Sequence, residues 1–92
     1  MGERFDSIWD ALEDTPEQAE NMKLRAVLLT AIKDQISKRE LTQAEAAKLF
    51  GVTQPRISDL IRGKINLFAL DTLVNMTVAA GLHVELRVLE AI

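Results

Sequence analysis

Between residues 42 and 63 the chain spells out two helix starts and two helix stops in strict order. Thr42 opens a run that Gly51 closes, and Thr53 opens a run that Gly63 closes. A threonine before a helical run accepts a hydrogen bond from an amide of the first turn. Glu45, three residues after Thr42, can return a bond to the Thr42 amide, which makes a capping box. Gly51 suits the left-handed conformation that stops a helix and that other residues resist. Pro55 falls in the first turn of the second run, where its missing amide donor is tolerated. The chain is thereby held to two short helices joined by a tight turn.

Two helices joined in this way form a helix-turn-helix. The major groove of DNA accepts one α-helix, and the other helix must brace it from above. At about 3.6 residues per turn, Ile57, Leu60 and Ile61 cluster on one side of the second helix and must be buried. Leu41, Ala44, Ala47 and Leu49 are placed to face them together with Val52. Pro55, Ser58, Asp59 and Arg62 then point away, with Gln54 and Arg56 near the exposed N-terminal end. Such a face holds the donors and acceptors that read base edges and phosphates. Residues 38–64 carry six bases against three acids, which favours a polyanionic partner. A helical hairpin that binds only protein is the alternative reading, and the Arg56, Arg62 and Lys64 cluster argues against it.

Total charge points the other way until it is located. The net value is −3, but residues 1–20 hold seven acids against Arg4 alone. The remaining 72 residues carry seven acids and ten bases, so the local patch is positive. The acidic start is either a solvated face or a docking surface for a basic protein. At 92 residues and 48% apolar content, one domain with its own core is expected. Tyrosine is absent and aromatic residues are few, which favours packed helices over a β-sandwich. No cysteine and a single histidine, His83, rule against disulfides, thiolate metal sites and zinc, so no cofactor is expected. No nucleophile, paired histidine or phosphate-cradling glycine loop marks an enzyme. With no signal-peptide pattern and no apolar stretch of membrane-spanning length, a cytoplasmic protein without a membrane partner is expected.

The flanks add expected elements. Phe5, Ile8, Trp9 and Leu12 stand at helical spacing and predict a short N-terminal helix, with Trp9 as a core anchor. Thr15-Pro16-Glu17-Gln18 opens a helix of about 22 residues that ends near Lys38-Arg39, with Met22, Ala26, Leu29, Ile32 and Ile36 as its stripe. Leu70, Leu73, Val74 and Val78 predict another helix, stopped by Gly81. Beyond it Leu82, Val84, Leu86 and Val88 alternate with His83, Glu85 and Arg87, the pattern of a half-buried β-strand. A lone strand leaves its backbone groups unpaired. Pairing with the same strand of a second copy is expected to make a homodimer, and pairing with an extended N-terminus is the alternative.

The stretch Leu41-Thr-Gln-Ala-Glu-Ala-Ala-Lys-Leu-Phe-Gly-Val-Thr-Gln-Pro-Arg-Ile-Ser-Asp-Leu-Ile-Arg-Gly-Lys64, with Leu70-Asp-Thr-Leu73 after it, resembles the Xre (Cro/C1-type) helix-turn-helix family of repressors. The resemblance spans roughly residues 20–82. It implies an all-α fold, a five-helix lambda-repressor-like bundle, to which the short N-terminal helix and C-terminal strand would be added. It implies a dimeric repressor on palindromic double-stranded DNA. By that resemblance Gln43 contacts a phosphate, and Gln54, Pro55, Arg56 and Asp59 face the bases, with Ser58 on the same face. Thr53, Arg62 and Lys64 are placed at phosphates. The two ends look like those of HigA-type antitoxins, which neutralise a basic RelE/HigB-like toxin and repress their own operon. The expected layout is an acidic segment over 1–14, a DNA-binding domain over 15–81 with its motif at 42–62, and a dimerising tail over 82–92.

Overall fold

The computed structural model describes residues 15–90, so the helix expected around Phe5, Ile8, Trp9 and Leu12 lies outside the described residues. Four α-helices follow one another. Helix α1 runs Pro16–Lys38, capped by Thr15, whose Oγ1 accepts the Gln18 amide at 3.1 Å. Helix α2 spans Gln43–Phe50 and α3 spans Gln54–Ile61. A single 3₁₀ turn, Ile65–Leu67, leads to α4 at Leu70–Ala79.

The core lies where all four of these helices meet, with Phe68 from the segment before α4. Ile32, Ile57, Leu60, Phe68 and Leu73 are its largest fully buried side chains. Along α1 the buried stripe is Leu28, Leu29, Ile32 and Ile36, whereas Ala26 is exposed. On α2 the buried positions are Ala46, Ala47 and Phe50, and Ala44 faces solvent. Ala44 sits in the first turn on the outer side, so the inward register begins two residues later. Two small alanines on the inner side let α2 approach α3 closely. In α4, Leu73, Met76 and Thr77 are buried, and Val78, expected on the stripe, is 60% exposed. The Thr77 hydroxyl donates to the Leu73 carbonyl at 2.7 Å, which satisfies it within its own helix.

All four helices stop in one way. Within two residues of each end one residue takes a left-handed backbone: Glu40 (φ 52°), Gly51 (φ 70°), Gly63 (φ 76°) and Gly81 (φ 84°). The next amide then reaches back five residues, from Leu41 to Ile36, Val52 to Ala47, Lys64 to Asp59 and Leu82 to Thr77. These bonds occupy carbonyls that a helix end would otherwise leave bare. Leu41, Val52 and Leu82 then turn inward to pack on the core, while Lys64 stays at the surface.

The fold differs from the expected architecture in two respects. Among the described residues there are four α-helices, not five, and the link between α3 and α4 holds only the 3₁₀ turn. No β-strand forms at residues 82–88. The alternation there has another cause: Leu82 and Val84 pack down on the helical core, and His83 and Glu85 project into solvent. An extended segment lying on helices has a buried and a wet side, so it alternates as a strand does without any backbone partner. Farther on Leu86, Val88 and Leu89 are 69%, 87% and 72% exposed. Among the described residues, no helix is long and apolar enough to cross a membrane.

Candidate nucleic-acid interface

Helix α3 is set down by its caps and by its apolar face. Thr53 Oγ1 accepts the Arg56 amide at 3.3 Å, and Ile57 and Leu60 are wholly buried beneath it. The bracing helix begins with a complete capping box: Glu45 N–H donates to Thr42 Oγ1 at 3.1 Å, and Thr42 N–H donates to Glu45 Oε1 at 2.8 Å. Gly51 turns the chain between the two helices in the left-handed region, with open space where a Cβ would stand.

With Ile57 and Leu60 pointing in, the opposite side of α3 is polar. Thr53, Gln54 and Pro55 are exposed at its N-terminal end. Ser58 and Asp59 are half-buried one turn on, and Arg62 is exposed just past the C-terminal end. Gln43, the first residue of α2, is exposed as well. The Thr53 hydroxyl uses its oxygen as an acceptor for the cap and keeps its own hydrogen to donate elsewhere.

Three charged residues on and beside this face have partners within the chain. Lys64 Nζ stands 3.7 Å from Asp59 Oδ1, a pair that offsets the one acidic charge on α3. Arg56 Nη1 donates to the Leu67 carbonyl at 2.9 Å, and its guanidinium lies 4.3 Å from the centre of the Phe68 ring. Arg25, from α1, donates through Nη1 to the carbonyls of Ile65 and Phe68 at 3.2 and 3.4 Å. Neither Arg25 nor Phe68 figured among the sequence candidates. Phe68 could have been flagged as an aromatic between two helices, but nothing local to Arg25 reveals a partner 40 residues away.

The family model for a helix-turn-helix domain matches residues 11–89. The chain belongs to this helix-turn-helix family. A solved structure, named provisionally as an XRE family transcriptional regulator, superposes with a TM-score of 0.73 at 29% identity. The match covers 79% of this chain and 82% of that one. No curated protein matches significantly. Helices α2 and α3, with the Gly51 turn between them, lie within the matched span. The exposed residues Gln54 and Pro55 stand at the leading end of the polar face of α3, with the Asp59–Lys64 pair at its trailing end.

Proposed function

We propose that the protein is a transcriptional regulator that binds double-stranded DNA by laying α3 in the major groove. One observation carries this reading. The polar side of α3 is open to solvent, its apolar side is pinned by Ile57 and Leu60, and exposed bases flank its end. The name of the superposed regulator points the same way. Gln54, Pro55, Ser58 and Asp59 form the base-facing set. A glutamine amide matches the donor and acceptor of adenine, and a proline ring offers only apolar contact, as to a thymine methyl. Gln43, Thr53, Arg62 and Lys64 serve the flanking phosphates, which position the protein without reading sequence.

The operator in this proposal is a palindrome bound by a homodimer, with half-sites about one helical turn apart. The apolar tail supports the dimer: Leu82 and Val84 anchor it to its own core, which leaves Leu86 and Val88 for a second copy. The biological setting we infer is that of an antitoxin, a repressor of its own operon with a basic toxin as partner. The seven acids of residues 1–20 give that stretch of sequence the charge sign suited to such a partner. Selection from a random duplex library tests the core of this proposal. An enriched two-fold symmetric site is the expected result, and recovery of unrelated sequences would sink it. A basic protein of about a hundred residues encoded beside this gene, co-purifying with it, is expected if the setting is right.

A further inference from the structure

Resting on the DNA-binding reading, we infer that Arg56 is a positioning residue that fixes the turn after α3, and not a reader of bases. Its guanidinium has two commitments, the Leu67 carbonyl at 2.9 Å and the face of Phe68 at 4.3 Å. Phe68 is 1% exposed and sits in the core, so the ring gives the guanidinium a fixed platform. Reaching a base edge would break both contacts and leave the Leu67 carbonyl without its donor.

Arg56 also does not act alone. Arg25, from α1, holds the carbonyls of Ile65 and Phe68. Two guanidiniums from different helices thus grip three carbonyls of one four-residue segment, 65–68. The 3₁₀ turn closes on itself through Leu67 N–H to the Lys64 carbonyl and Phe68 N–H to the Ile65 carbonyl, at 3.0 and 3.1 Å. Those bonds shape the turn but do not tie it to α1 or α3, which the rigid planar guanidiniums do. What the grip positions is the stretch from Lys64 to Asn66, both exposed beside the end of α3. Phosphate contacts made from that stretch depend on where the turn sits, and such contacts raise affinity for every sequence alike. Base preference is left to Gln54, Pro55, Ser58 and Asp59.

The test has two arms on the full chain. In the free protein, Arg56→Ala should speed amide exchange at Leu67 and Phe68 by about tenfold or more, because the turn opens more often. Unchanged protection there would overturn the grip without touching the DNA reading. In binding, Arg56→Ala should weaken the selected operator and each of its single-base variants by one common factor, about tenfold. Arg56→Lys, which keeps a cation and a donor, should recover part of that loss. Collapse of discrimination at one base pair would make Arg56 a base reader and overturn the proposal, as would unchanged affinity. A wild-type chain that selects no duplex at all would defeat the DNA reading itself, with the exchange arm still judging the grip.

Discussion

Lys64 carries two duties whose effects separate by measurement. It is 49% exposed, available to a phosphate, and it stands 3.7 Å from Asp59. Exposed ion pairs of this kind add little to stability, so the pair matters for what it does to the field on α3. Lys64→Ala should weaken binding to all duplexes similarly and reduce the salt dependence by about one counterion. It should also uncover the Asp59 carboxylate beside the DNA backbone. Asp59→Asn in the Lys64→Ala background is therefore expected to recover part of the affinity, read by anisotropy titrations at several salt concentrations. No recovery would mean that Asp59 stands clear of the phosphates.

At the scale of elements, the helix stops set the geometry and can be tested one at a time. Gly51 has open space around its missing Cβ, so Gly51→Ala meets no clash and suffers only the left-handed backbone cost. That cost is about 1–2 kcal/mol, to be read as a lower melting midpoint. Glu40 takes the same conformation with a side chain present. Glu40→Gly should accordingly stabilise, by up to about 1 kcal/mol after the added freedom of the unfolded chain is discounted. The starts and stops of α2 and α3 were legible in the sequence because the side chains of Thr42, Glu45 and Thr53 bond amides only three residues away, and Gly51 turns its own backbone. The stop after α1 was not marked in this way, since Glu40 is forced left-handed by the turn into Leu41 and not by its own preference. The contact between Arg25 and the 65–68 turn was hidden for a related reason. It depends on how α1 lies across the fold, and no local pattern encodes that.

The whole molecule turns on its C-terminal segment, where a pattern was legible but its cause was not. Alternation at residues 82–88 records one-sided packing on helices, as the burial of Leu82 and Val84 and the exposure of His83 and Glu85 make plain. Among the described residues the most open apolar side chains are Leu86, Val88 and Leu89, together with Val27 and Val78 at 66% and 60% exposure. Replacing Leu86 and Val88 with aspartate should leave the fold intact, since neither belongs to the core. It should convert a dimer to a monomer in sedimentation, with loss of the tight two-site complex on DNA. A monomeric wild type, or a mutant that still dimerises, would remove the tail from the interface. The central claim, that α3 reads DNA sequence, is tested most directly at Gln54, which is exposed at the leading end of the helix. The measurement is the affinity of wild type and Gln54→Ala for the selected operator, its single-base variants and a scrambled duplex. Gln54→Ala should lose about 1–3 kcal/mol of discrimination at a single base pair, with scrambled DNA bound as before. Equal discrimination by both proteins at every position would contradict that claim.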